Sequence, residues 1–484
     1  MCGHVGVWAR ENLETKAAGI TRTILLVLAG TFFIVLLEGA MWAAEGGVKT
    51  VNCDKGKTIR HALEESGSNP ITIVVKGTCN ESVQISRPGV TLMAAPGGGT
   101  VVGSDPNSPA LLIASEDTVI DGLAVTGGIN GIHVRGANRA SIRDCSIQNS
   151  TRNGILFSHN SEGTVDNCTV QNNGTHGISI SGSSARIFNS TTSANAQNGV
   201  FVGHGGNAFI GVDSIPIPAY AGNTIANNGA NGIQVVDGGV VIIGGNTISG
   251  NGTDSGSTRG RSGLGVGNKG SANLVGNNTI TLNAGNGVTG TNGATILMGP
   301  TGFGLPNANT ISQNNTASLP GQGGVSGFLG TSMQIFAATI TGNNGHGVSL
   351  GTQSSAQVLA GTTIVGNSGR GVNAFNNASI VIQDSSITGN TSDGVFLSLR
   401  SVAQIVGGGA MAINNNTGHG ISLSLGSGLF LSGPPPAPVA VTNNGVPSSG
   451  YGLLCADTES SFLGSTAGFS GNGLGGVSPG CSGF

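Results

Sequence analysis

Three strings in this chain set histidine before glycine and an aliphatic residue: His176-Gly-Ile, His346-Gly-Val and His419-Gly-Ile. Histidine titrates near neutral pH, so each is a candidate for proton transfer. Charge is also unevenly spread. Between Glu116 and Arg186 stand six acids and five arginines, with His133, His159 and His176 among them. From Ile187 to Gly450 only ten charged residues appear. Within the cluster, Asp121, Arg143 and Asp166 fall at similar intervals. Carboxylates so placed can act as general acid and base or hold Ca²⁺, and an arginine can grip a carboxylate with two parallel hydrogen bonds.

What positions these residues is a repeat. Steps of the form X-Gly-aliphatic occur at Gly131, Gly154, Gly177, Gly199, Gly232, Gly263, Gly287, Gly324, Gly347, Gly371, Gly394, Gly420 and Gly452. Their modal spacing is about 23 residues, a period that signals a solenoid. Longer spacings are repeats with inserted loops. Each unit alternates like a strand: in "NGIHVRG", Ile132 and Val134 face one way, His133 and Arg135 the other.

Ile142 and Ile147 then stand five apart, which breaks period two and requires a bend. The residue three before the second aliphatic is Gly122, Asp144, Asn167, Asn189, Gly222, Gly245 and Asn277 in successive units. Gly, Asn and Asp tolerate the left-handed backbone such a bend needs. The next position carries Cys145 and Cys168, then Asn223, Asn246, Asn278 and Asn309. A second asparagine column lies four before the repeat glycine, at Asn173, Asn195, Asn228, Asn283, Asn343, Asn367, Asn390 and Asn416. Stacked asparagines can hydrogen-bond along a solenoid axis.

Coiled strands, aliphatic columns and asparagine ladders together resemble the right-handed parallel β-helix of the pectin lyase-like superfamily, in its parallel β-helix repeat branch. The resemblance runs from about Val48 to the C-terminus. It implies an all-β fold, a single right-handed parallel β-helix solenoid with an N-terminal capping helix. "KTIRHALEES" (57–66), with Ile59, Ala62 and Leu63 on one helical face, is the expected cap. The expected layout is an N-terminal cap at 48–103, coils at 104–454 and a C-terminal cap at 455–484, about sixteen coils in all.

The string HGIS at 176–179 resembles the histidine motif of the polygalacturonases. Their paired aspartates and NTD motif are missing, as is the DPHD string of the mannuronan epimerases. His176, His346 and His419 each occupy the X of the repeat step, where Asn130, Asn153, Asn198 and Asn231 also stand. A position that varied reads as an exposed turn, not as a fixed catalytic geometry.

The rest of the composition narrows the class. Net charge is −3, so no broad basic face offers itself to nucleic acid. Aromatics make up 4%, so the core must be aliphatic. Residues 1–47 read as an export signal or N-terminal anchor: Lys16 and Arg22 precede the apolar run Ile24 to Leu37, and small residues follow. The location expected is secreted or at the cell surface, with membrane attachment only through an uncleaved segment. Cys2 lies in that leader. The six other cysteines pair by proximity as Cys53–Cys79, Cys145–Cys168 and Cys455–Cys481, the middle pair being open to a second reading as two buried thiols.

The partner that the resemblance implies is a polysaccharide or surface glycan. Asp121, Arg143 and Asp166 are the candidate catalytic column. Arg135, His133, Arg139, Glu162 and the loop residue Tyr220 are candidate sugar contacts. The sequence names no cofactor, and Ca²⁺ would suit the acids. If the chain is an enzyme, it is a polysaccharide lyase, glycoside hydrolase or epimerase acting on polyuronate. The alternative is a non-catalytic structural or adhesion rod with a protein partner, its charge column a surface salt-bridge ladder.

Overall fold

The computed structural model describes residues 47–67, 70–212, 221–256, 260–299, 309–408, 411–433 and 439–483. Contacts divide the chain into Met1–Ala44 and Glu45–Phe484, and the architecture below is that of the second unit. The expected export segment and Tyr220 lie outside the described residues.

Each coil is built from three short strands. One coil comprises Ile132–Arg135, Ala140–Arg143 and Ser146–Gln148, and the next begins at Ile155–Ser158. Equivalent strands pair in parallel with exact register: Ile132 with Ile155, Arg143 with Asp166, Ser146 with Thr169. The first strands of the coils form a sixteen-stranded sheet from Val83–Ile85 to Gly475–Val477. The second and third join in a 32-stranded sheet. They join because Val90–Gly103 runs through the bend and pairs with strands of both rows.

The inward residues are the expected aliphatics. Ile132, Val134, Ile142, Ile147 and Ile155 are completely buried, and so is the aromatic Phe157, which departs from the otherwise aliphatic pattern. Each such side chain stabilises the fold by about 1.5–3 kcal/mol. The bend between second and third strands is left-handed at Asp144 (φ +56°), Asn167 (+49°) and Asn189 (+51°), as the sequence requires. Gly222, expected to share that conformation, does not: an insertion splits this coil, and Gly211 makes the bend instead at φ +74°. The repeat glycine has a different reason. A Cβ at Gly154 would overlap Val170 and stand 2.8 Å from the Gly177 carbonyl of the next coil.

Both asparagine ladders exist. In the first, the amide oxygens of Asn223, Asn246, Asn278 and Asn309 each accept the backbone N–H of the coil before, at 2.9–3.3 Å. The second runs without a gap from Asn173 to Asn472 and includes Asn251, Asn314 and Asn444. Asn246 and Asn278 have no exposed surface. These ladders satisfy buried turn amides that would otherwise be unpaired.

Two of the three expected disulfides are present, Cys53–Cys79 and Cys455–Cys481, with Cα separations of 5.1 and 5.0 Å. Cys145 and Cys168 are not joined; both are buried free thiols, which corrects the expected pairing. The cause is their place in the first ladder. The Cys145 thiol faces the Arg143 carbonyl at 3.0 Å and the Ile120 carbonyl at 3.6 Å. Asn246 donates to the matching pair of carbonyls, those of Gly244 and Ile210. The thiols thus replace amide donors. Hydrogen bonding with Cys145, followed by burial, pushes the Cys168 thiol pKa well up.

The expected capping helix is one short helix, α1, Ile59–Glu64. Thr58 caps it, and Glu81 accepts the backbone N–H groups of Ile59 and Arg60 at 2.6 and 3.2 Å. Ile59 and Ala62 are buried, and α1 lies against Ile71–Asn80 and Val83–Ile85. That it seals the solenoid end remains a proposal.

Candidate functional site

The three residues of the candidate catalytic column do stack. Register places Asp121, Arg143 and Asp166 side by side on the outward face of the second row. Arg143 donates to Asp121 at 2.8 Å. Asp166 instead accepts from the Asn189 side chain at 2.9 Å. Asp121 and Arg143 thus pair within the column, while Asp166 is held by the asparagine of the following bend.

The other cluster residues are dispersed. Arg139 sits in the turn before the second row and pairs with Asp117 at 2.6 Å and Glu116 at 3.0 Å. Arg139 holds the Asp117 carboxyl below the usual range. Glu162 opens a second-row strand and is exposed. Arg135 and His133 point outward from the first row. His133 bonds the Ser158 hydroxyl at 2.8 Å, and Ser158 contacts His159 Nδ1 at 2.8 Å. Burial, then the nearby Arg135 and His159, lower the His133 pKa to about 4. At neutral pH it is an uncharged hydrogen-bonding ring. The structure thus joins Asp121 with Arg143, and places His133 and Arg135 on a different face.

Among the described residues no three carboxylates converge as calcium ligands would. Among the described residues, the one grouping of three possible ligands is Cys53, Cys79 and Glu81. Its sulfurs form a disulfide and its carboxylate holds α1.

A more ordered arrangement lies on the sixteen-stranded sheet, and the histidines belong to it. The X residue of each repeat step is not an exposed turn residue. Asn130, Asn198, Asn231 and Asp393 are buried. The Asn130 amide oxygen accepts the next coil's N–H, from Asn153, at 3.2 Å, and Asp393 does the same for His419 at 2.8 Å. Histidine performs this task through Nδ1. His346 accepts the Arg370 N–H at 3.1 Å, His419 the Tyr451 N–H at 2.9 Å, and His176 the Asn198 N–H at 3.4 Å. This is a third ladder. The sequence hid it because Asn, Asp and His share only the ability to accept a hydrogen bond.

The same X side chains lean over the outward face of that sheet. The His176 ring stacks on Phe201, with centroids 4.8 Å apart and planes 9° from parallel. The Arg370 guanidinium lies 3.4 Å over Phe396, 3.5 Å from Asp393, and donates to Asn373 at 2.9 Å. Asn286 bonds Thr289 and Ser326, both at 2.9 Å. Phe201 and Phe396 occupy one register column, seven strand steps apart. At one strand spacing per step that is roughly 34 Å. Between them stand Gln234, Gly265, Thr289, Ser326, Ser349 and Asn373, of which Gln234 and Thr289 are partly exposed while Ser326, Ser349 and Asn373 are buried.

The family model for the right handed beta helix region matches residues 90–215 and 307–467. The chain belongs to that family. No curated protein sequence matches it. Among solved structures it is similar to the A-module of mannuronan C-5 epimerase AlgE6 from Azotobacter vinelandii, at 14% identity over 82% of this chain and 93% of that one, with a TM-score of 0.45. It is similar also to pectate lyase Pel9A, at 13% identity over 73% and 76%, TM-score 0.35. An alginate lyase from Paenibacillus sp. is 16% identical over 68% and 98%, TM-score 0.33. Likeness of this degree concerns the course of the chain.

Proposed function

We propose that this protein binds a polysaccharide laid lengthwise on the outward face of the sixteen-stranded sheet. The observation that carries this reading is the shared column of two half-buried ring platforms, Phe201 under His176 and Phe396 under Arg370, with the partly exposed Gln234 and Thr289 between them. A sugar polymer has apolar ring faces and many hydroxyls. Rings receive the first, while Gln234 and Thr289 can pair with the second. A long track suits a polymer better than a small molecule. The two disulfides suit an oxidising location outside the cytoplasm.

In this reading Asp121, Arg143 and Asp166 form a surface ladder that avoids like-charge stacking. The test is binding to a broad glycan panel, with the triple variant Asp121→Asn, Arg143→Gln, Asp166→Asn measured beside the wild type. Binding retained by the folded triple variant supports the sheet face. Binding or cleavage of a polyuronate lost in that variant would return the site to the charge column. A panel with no bound glycan would end the carbohydrate reading.

A second reading has its own observation. Leu399, Val402, Leu425, Phe430 and Leu463 are large, apolar and 41–55% exposed near the C-terminal end of the solenoid. Such a patch favours a protein contact, as in an adhesion rod.

A further inference from the structure

The sheet face has an end. A cavity of about 500 Å³ opens where α1 meets the first two strands of the sixteen-stranded sheet. It is bounded by Arg60, Leu63 and Glu64 of α1, by Gln84 and Leu112 of the strands Val83–Ile85 and Leu111–Ile113, and by the loop carrying Asp105. Its volume lies within the roughly 300–1,000 Å³ of small-ligand pockets. Gln84 and Leu112 stand in the same outward column as His133, Leu156, Ser179 and Phe201, each in register with the next. The cavity is thus the first station of the track already described.

From this we infer that the track is closed at its N-terminal end and that the cavity holds the terminal sugar of a neutral glycan chain, an inference that rests on the lengthwise reading above. The wall is fixed. Glu81 holds the start of α1, and Arg60 donates to the Ser82 carbonyl at 2.9 Å. A polymer following the column from Phe201 meets α1 and cannot continue on the sheet. The lining suits a single sugar end. Leu63 and Leu112 offer an apolar floor for a ring face, and Arg60 keeps further N–H donors. Asp105 is a prepared acceptor. Its carboxylate takes the Ser108 hydroxyl at 2.5 Å and the Asn107 N–H at 2.9 Å, which hold its pKa below the usual range. A chain end carries a hydroxyl that interior units have given up to linkage, and carboxylates accept from hydroxyls. Two carboxylates, Glu64 and Asp105, against one guanidinium favour a neutral sugar over an acidic one.

The experiment uses the full chain and six-unit oligosaccharides: cello-, manno-, xylo- and galacto-series as neutral probes, with oligogalacturonate and oligomannuronate as acidic ones. Each is measured in native form, with the reducing end reduced by borohydride, and with the non-reducing terminal hydroxyl methylated. In the series that binds, modifying one of the two ends should weaken affinity at least tenfold. Arg60→Ala and Asp105→Asn, both at the surface and checked for folding by circular dichroism, should erase most of that difference. Phe201→Ala should weaken native and end-modified forms alike. If a neutral series binds through Phe201 but both end-modified forms bind as well as the native one, the chain-end pocket is wrong while the lengthwise reading stands. Binding confined to the acidic series overturns the neutral terminus. Binding by no series overturns both.

Discussion

His346 shows how a residue's role depends on the ladder it joins. Its Nδ1 must be unprotonated to accept the Arg370 N–H, so the neutral ring belongs to the fold. Burial, then the charge on Arg370, lowers its pKa from 6.5 to about 4. The folded value lies below the unfolded one, so this stabilisation is complete above about pH 6.5 and is lost as pH falls toward 4. His133 follows the same sign for a similar cause. The melting temperature should therefore fall between pH 6.5 and 4. His346→Asn, which restores the acceptor used elsewhere in the row without the titrating ring, should show a smaller fall. An identical pH profile for variant and wild type would contradict the ladder role. In the sequence these histidines read as exposed turn residues, because the column mixes types. What unites them is a single acceptor atom aimed at the next coil, and no periodicity of hydrophobicity or charge records that.

At the scale of the coil, strands, bends and ladders could be read from the repeat wherever its spacing was regular. Asn246 and Asn278 were found because they keep their distance from the second aliphatic. Asn251, Asn314 and Asn444 escaped because insertions separate them from the repeat glycine, although each holds its ladder place in space. Replacing Asn246 and Asn278 by Leu removes acceptors for buried N–H groups and should cost about 1–3 kcal/mol each. Urea unfolding of the single and double variants measures it, and an unchanged midpoint in the double variant would refute the ladder's contribution. The cysteines follow the same logic. Cys145 and Cys168 occupy ladder positions as donors to carbonyls, so proximity alone misjudged them. Thiol titration should find them unreactive in the folded protein and reactive once denatured. A titre at least two thiols lower than expected for these two would mean that they are bridged after all.

For the whole solenoid, the period and its aliphatic columns were enough to give the parallel coil and close to the observed sixteen-stranded sheet. The candidate site was not so readable. Clustering of charge drew attention to Asp121, Arg143 and Asp166, of which the fold pairs Arg143 with Asp121 and Asp166 with Asn189. The sheet face that we propose for glycan contact carries little charge, and its rings come from Phe201 and Phe396, nearly two hundred residues apart. Only stacking brings them into one column. The most direct measurement is polysaccharide affinity of the wild type against Phe201→Ala, Phe396→Ala and the double variant. Each ring contact of about 0.5–1.5 kcal/mol corresponds to roughly a two- to twelvefold loss. The account predicts such a loss in each single variant, a larger one in the double variant, and an oligosaccharide too short to span both rings that responds to one variant only. Folded variants that bind the polymer as tightly as the wild type would contradict it.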